Sequence, residues 1–299
     1  MRNLKDKIRI YSDLYLYIVV IGVGGTGSEL IRQLSQVVAA SNIPHTLMLV
    51  DKDFIEPKNL KNQSFLRSEV GEMKAEVLAE RYGQAYPNLN IFSYTENYIE
   101  NLDELTKLLN PLYLDTTNFN SDQRFIPIIV GCVDNNYSRK VFHAAYKALN
   151  NCIYIDAGNE SAVVPPDWQT RPFNMWSNEE QQTYQESGWS GQVVCGVRLN
   201  GDELQPALAG LYPEVLTDTD SVKAPSELSC SELAASDPQR SLVNKYSAMS
   251  LMTYLYEIIE ERTISNHHTM FHAKKGYMKT EQFDKEKFEE MQQLLSSLQ

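Results

Sequence analysis

Apolar positions along the first half of the chain follow two alternating regimes. Residues 15–21 (YLYIVVI) are continuously apolar or aromatic, as expected of a strand buried on both faces. Residues 28–40 instead place Leu30, Ile31, Leu34, Val37 and Val38 on helical spacing, which predicts a helix with one face in a core. The alternation continues with strands predicted over 46–50, 89–94, 128–133 and 152–155 and helices over 71–86, 102–109 and 137–149. Pro87 closes the first of those helices. Strands separated by helical segments predict an α/β fold with a mostly parallel sheet and right-handed crossovers.

Beyond Gly158 the texture changes. Residues 163–190 hold Pro165, Pro166, Pro172, all three tryptophans and a polar QQTYQES stretch, and read as a long surface connection with aromatic anchors. A further strand is predicted over 192–199, and 211–236 reads as loop around Pro213 and Pro225. Residues 241–259 carry Leu242, Tyr246, Met249, Met252, Tyr256 and Ile259 at helical spacing, so this segment returns to cover the sheet. The last segment, 278–299, mixes charge with Phe283, Phe288, Met291, Leu294 and Leu295 and reads either as a partner helix or as a frayed end.

Between the first strand and helix lies Gly22-Val23-Gly24-Gly25-Thr26-Gly27. Gly22, Gly24 and Gly27 satisfy GxGxxG, whose glycines allow a tight turn and a close approach of backbone to phosphate at a helix N-terminus. Asp51, ending the second strand, is placed to accept hydrogen bonds from a ribose. The competing reading is that the glycines only relieve crowding and Asp51 is a solvated acid. Gly25 makes the motif GxGGxG, and Asn59, Asn62, Gln63 and Lys74 follow, then Asp134-Asn135-Asn136 beyond the fourth strand. Ligands bind outside the carboxyl ends of parallel strands, which puts Asp51 and Asp134 on one rim. A metal-binding acid and a phosphate-neutralising lysine at that crevice favour a triphosphate over a dinucleotide. The architecture expected is thus Rossmann-like, a mostly parallel sheet flanked by helices, with a C-terminal strand and helix extension. Residues 1–160 are expected to form the nucleotide-binding half, 161–270 a crossover half completing the same domain, and 271–299 a charged C-terminal segment.

Charge and cysteine usage narrow the partners. Twenty-seven basic against 39 acidic residues leave a net charge of −12 over 299 residues, which opposes general nucleic-acid binding. The longest apolar run is too short to cross a bilayer and nothing marks export, so a cytoplasmic protein is expected. Cys132, Cys152, Cys195 and Cys230 form no CxxC pair, which argues against a zinc ribbon or a disulfide scaffold. His45, His143, His267, His268 and His272 make no metal-ligand pattern, and the HHxxxH cluster reads as a hydrated turn.

The ordered set of motifs resembles the ThiF/MoeB/HesA superfamily, whose catalytic domain adenylates the C-termini of ubiquitin-like proteins in ubiquitin-activating enzymes. The resemblance runs over residues 17–158 and, more weakly, from Gly191 to the helix near Ile259. It rests on Gly22 to Gly27, Asp51, Asn59-Leu60-Lys61-Asn62-Gln63, Gly71-Glu72-Met73-Lys74 and Asp134-Asn135. It implies ATP and Mg²⁺ as cofactors, with Lys74 on the phosphates, Asp134 on the metal, Asn59 and Gln63 orienting phosphates or ribose, and Asp51 on the ribose. Asn62 departs from the pattern, standing where the family usually has Arg; an amide bonds a phosphate without neutralising it. Lys61, Arg67, or Arg9 reaching across a homodimer are the candidate replacements. Further implied are a ubiquitin-like protein C-terminus as substrate, a conjugating-enzyme partner, and a place in the bacterial plasmid- or phage-associated branch with a role in antiviral defence. Cys132, Cys152 and Cys195 fall on predicted strands, leaving Cys230 in a polar loop as the candidate thioester acceptor. Two other classes stay open: a ThiF-like protein-binding module that has lost its chemistry, and an NAD-dependent oxidoreductase.

Overall fold

The computed structural model describes residues 7–41, 43–110, 112, 124–218, 223–227, 238–286, 288 and 290. Its centre is a sheet of nine strands, labelled here β1 (Leu14–Ile21), β2 (His45–Val50), β3 (Ile91–Tyr94), β4 (Arg124–Gly131), β5 (Cys152–Asn159), β6 (Ser190–Leu199), β7 (Asp202–Gln205), β8 (His268–His272) and β9 (Tyr277–Glu281). They lie in the order β9-β8-β6-β5-β4-β1-β2-β3, with β7 pairing β6 off this path. The run β5-β4-β1-β2-β3 is parallel throughout, and the strands added beyond β5 are antiparallel. A separate two-stranded ladder joins Ile8–Arg9 to Thr263–Ile264.

The helices are α1 (Gly25–Ala40), α2 (Lys74–Ala85), α3 (Leu102–Leu108), α4 (Asn136–Ala148), α5 (Asn178–Glu186) and α6 (Ser241–Tyr256), with one-turn helices at Leu208–Leu211 and Glu214–Thr217. Every residue of β1 and β2 is buried, which is why their sequences are apolar without alternation. The strand period still divides β1 between two cores. Leu16, Ile18 and Val20 pack with Leu30, Ile31 and Leu34 of α1 and Leu251 and Leu255 of α6. Tyr15, Tyr17, Val19 and Ile21 pack with Leu105 and Leu108 of α3 and Phe142 and Tyr146 of α4. The buried tyrosines place their hydroxyls: Tyr15 bonds Thr46 Oγ1 at 2.7 Å and Tyr17 donates to the Leu108 carbonyl at 2.7 Å.

Several boundaries differ from those read off the sequence. α1 begins at Gly25 rather than at residue 28, because the glycines leave the N-terminal turn free to wind. α2 begins at Lys74 rather than 71, since Gly71 adopts φ 99° and Met73 is extended. The expected surface connection over 163–190 contains α5, started by a reciprocal cap between Ser177 and Glu180. The C-terminal segment opens as β9, turned back by Gly276 at φ 67°, where a helix or a frayed end was expected; its residues 291–299 lie outside the described residues. His268 and His272 sit on β8 with His267 buried just before it, so HHxxxH is a strand and not a hydrated turn. Among the described residues no helix is long and apolar enough to cross a membrane.

Candidate functional site

The turn from β1 to α1 is shaped by close backbone approach. Gly22 adopts φ +87°, and a Cβ there would stand 2.8 Å from the Cys132 carbonyl oxygen on the neighbouring strand end. A Cβ on Gly27 would lie 2.1 Å from the carbonyl oxygen of Gly22, so the helix rests directly on the turn. Gly27→Ala must therefore push α1 off β1. The expected result is a loss of about 1–3 kcal/mol in urea denaturation together with weakened nucleotide binding. A variant with unchanged midpoint and affinity would show that the turn tolerates displacement.

Asp51 links this turn to the next element. Its Oδ2 accepts from the Val23 amide at 2.8 Å and its Oδ1 from the Asp53 amide at 2.9 Å. Asp53 in turn accepts from Lys74 Nζ at 2.8 Å and from the Tyr98 hydroxyl at 2.7 Å. The glycine turn, both acids and the lysine are thus one hydrogen-bonded chain. Lys74 is not the exposed helix lysine that α2 alone would suggest: only 7% of its side chain is exposed. Burial pulls the Lys74 ammonium down, but Asp51 and Asp53 outweigh it and hold its pKa above the ordinary 10.5. Burial pushes Asp51 up against the pull of Lys74, whereas for Asp53 the same cation overcomes burial and holds the carboxyl below its usual range. The chain therefore carries a protonated lysine at neutral pH. Its stabilising contribution is complete below pH 10.5 and fades only as pH rises through the higher folded value.

The Asn59 to Gln63 element runs beside the turn. Asn59 is buried, and its Oδ1 accepts from the Glu56 amide at 2.8 Å in a reciprocal helix cap, so its carbonyl end has a structural task. Asn62 caps the C-terminus of the Pro57–Lys61 turn and is half-buried. Gln63 faces the glycines, its Nε2 being 3.6 Å from where a Gly24 Cβ would be, and its buried Oε1 has no hydrogen-bond partner among the described residues. Arg9 and Arg67 are exposed.

Asp134 lies exposed in the turn between β4 and α4, on the same rim as Asp51 because β2 and β4 are both parallel to β1. The cap of α4 is Asn135, which accepts from the Ser138 amide at 2.8 Å, leaving Asp134 free of that duty. Arg139 pairs with a buried acid: Nε donates to Asp156 Oδ1 at 3.0 Å, and Nη2 to the carbonyls of Val133 at 2.9 Å and Ala157 at 3.1 Å. This guanidinium ties the strand ends that carry Asp134 into one block. Asp53, Tyr98 and Asp156 escaped the sequence reading. Only the spacing Asp51-Lys52-Asp53 hinted at a second acid, and nothing local places Tyr98.

Cys152 and Cys195 are buried free thiols in β5 and β6, and Cys132 follows β4 half-buried. Burial pushes all three thiols far up, against thiolate chemistry. Cys230 lies outside the described residues. A cavity of about 610 Å³ adjoins the acid and lysine chain, lined by Lys52, Tyr94, Tyr98, Glu100 and Ser226 among others. Ser226 closes one side by donating from its amide and hydroxyl to Glu100 at 2.5 and 2.7 Å.

Comparison with known proteins places the fold. PaaA has a similar structure (TM-score 0.52, 15% identity), with 89% of this chain covered and 64% of that one. E. coli MccB is similar in its complex with MccA-N7isoASN (TM-score 0.52, 16% identity, 89% and 64% covered) and with ATP (TM-score 0.50, 16% identity, 89% and 63% covered). These likenesses speak to the fold. The NEDD8-activating enzyme E1 catalytic subunit of Arabidopsis thaliana is 44% identical over 80 residues, 26% of this chain and 16% of that protein. The chain therefore spans under two thirds of the solved structures and a sixth of the plant protein. The model of the ThiF family matches residues 14–292, nearly the whole length, and the chain belongs to that family.

Proposed function

We propose that this protein uses ATP to adenylate the C-terminal carboxylate of a peptide or protein, with a ubiquitin-like protein as the finer assignment. The observation that carries this reading is the continuous chain Val23 amide, Asp51, Asp53, Lys74, which fastens a buried ammonium to the loop beneath a helix N-terminus. E. coli MccB, similar in fold, is known with ATP and with MccA-N7isoASN, and the plant relative is named for activating NEDD8; these names support ATP and a peptide or protein substrate.

The residues fit a nucleotide triphosphate. Asp51 spends one lone pair of each oxygen on backbone amides and keeps others for ribose hydroxyls. Gln63 Oε1, without a partner among the described residues, offers an acceptor beside the turn for a ribose hydroxyl. In the reaction a substrate carboxylate oxygen bonds the α-phosphorus and the bond to pyrophosphate breaks. Lys74 would then turn from Asp53 toward the phosphates and stabilise the charge that collects on the departing group. Mg²⁺, when bound through Asp134, would neutralise phosphate oxygens as a hard cation. Asn62 leaves the site one cation short of the family pattern, which favours a homodimer that supplies Arg9 from the second copy. Cys230 remains the candidate acceptor for a thioester after adenylation.

Equilibrium titration with ATP·Mg²⁺ and with NAD is expected to give tighter binding of ATP, and pyrophosphate exchange should need a carboxylate partner. Equal or tighter NAD binding would overturn the ATP assignment. Partner binding that ignores nucleotide would favour the module without chemistry.

A further inference from the structure

The glycine turn is held from the far end of the chain. Asn244, in the first turn of α6, is 0% exposed and packs on the turn so closely that a Cβ on Gly25 would stand 2.1 Å from its Nδ2 and 2.7 Å from its Cγ. That contact gives Gly25 a reason which the phosphate-loop pattern does not require, since a Cβ on Gly24 would meet its nearest neighbour at an ordinary 3.6 Å. The other end of the amide is engaged: Asn244 Oδ1 accepts from Asn159 Nδ2 at 3.0 Å and from Thr26 Oγ1 at 3.4 Å. Asn159 also donates to Thr26 Oγ1 at 3.1 Å and accepts from Ser247. Asn244 Nδ2 itself is buried without a partner among the described residues, beside the helix start whose backbone amides also lack intrahelical acceptors.

Asn159 is the last residue of β5, Asn244 and Ser247 belong to α6, and Thr26 belongs to the opening turn of α1. One polar knot inside an apolar interface thus joins the glycine turn to both elements that bound the second half of the chain. Hydrogen bonds in such a setting fix geometry, because any rearrangement leaves a buried donor or acceptor unmade.

From this we infer that Asn244 is a positioning residue for the phosphate site, setting the shape of the Gly22 to Gly27 turn from α6. Its role in nucleotide affinity rests on the ATP reading above; its role in ordering the turn does not. The bonds that Asn244 Oδ1 accepts from Thr26 and Asn159 order the first turn of α6 and that of α1 together.

Amide hydrogen exchange and ATP titration on the full chain test this. Asn244→Ala and the near-isosteric Thr26→Val are each expected to speed exchange over residues 22–28 by at least about tenfold while β4 and β5 keep wild-type rates. The Kd for ATP should rise about tenfold in Asn244→Ala. Gly25→Ala should weaken ATP binding by at least about tenfold in the wild-type background and by less than about threefold in the Asn244→Ala background, where the space is free. Unchanged exchange over 22–28 in both variants overturns the inference, as does equal damage from Gly25→Ala in the two backgrounds. Wild-type protein that binds no ATP, with exchange still raised in the variants, sinks the adenylation reading and leaves the positioning role standing.

Discussion

Lys74→Met is expected to lower carboxylate-dependent pyrophosphate exchange by at least about tenfold, or roughly 1.4 kcal/mol of transition-state stabilisation. Methionine keeps the buried stem and removes only the charge, so the loss reads the ammonium and not a cavity. The same change should alter stability in a pH-dependent way. Asp51 and Asp53 face each other's charge around Lys74, and without it two acids share one site. Removing one partner of a buried pair costs about 3–5 kcal/mol, and since 44% of the Asp53 side chain is exposed, about 1–3 kcal/mol is the sensible expectation here. The carboxyls would titrate higher in the folded variant than in its unfolded chain, so the deficit should shrink as pH falls through those raised values. Urea denaturation at pH 8 and pH 5 alongside the exchange assay decides both parts. A folded Lys74→Met protein with wild-type exchange would remove Lys74 from the chemistry.

What was legible in the sequence follows from how local the cause is. β1, β2 and the helices α1 to α4 announce themselves because burial on both faces, or on one helical stripe, is written residue by residue. Boundaries shifted where a distant partner decides. The fourth strand was expected from residue 128, after a proline that cannot donate to a ladder; it begins at Arg124, because β5 pairs only from Ile128 onward and Pro127 falls where that side is not yet covered. β9 escaped because its side chains are mostly exposed and, among the described residues, it pairs with β8 alone, so no apolar period marks it.

The site divides the same way. Gly22, Gly24, Gly27 and Asp51 are readable because strand, turn and helix are consecutive. Lys74 was readable as a motif member, but its burial was not, since that depends on Asp53 and on Tyr98 arriving from beyond β3. Asn244 sits 218 residues from Thr26, and no local pattern tells a core asparagine apart from a surface one. Arg139 shows how neutral the sequence is about charge partners: its acid belongs to the next strand, where the side-chain period turns Asp156 inward.

The largest acid effect is expected from histidines held neutral. His267 is 4% exposed, burial lowers its pKa to about 4, and the hydrogen bond between its Nε2 and the Pro206 carbonyl, 2.9 Å long, only partly opposes this. His45 is lowered too: its Nδ1 meets the Ile43 carbonyl at 2.7 Å while its Nε2 accepts from the Asn90 amide at 3.0 Å, a pairing that only the neutral ring can make. Between pH 6.5 and about 4 the unfolded chain therefore binds protons that the folded one refuses, and stability falls as pH falls. For His267 alone the full window is worth about 3 kcal/mol. Asp53 does not contribute there, because its folded pKa is lowered and its loss begins only near the ordinary carboxylate value of 3.8. Asp51 and Asp156 act the other way, their raised values adding stability as they take up protons. Comparing wild type with His267→Gln by urea denaturation at pH 7, 6, 5 and 4.5 separates these contributions. The variant is expected to start lower at pH 7, where it disturbs packing against Phe283, and to lose much less between pH 6.5 and 4.5. Parallel profiles for the two proteins would assign the acid sensitivity to groups other than His267.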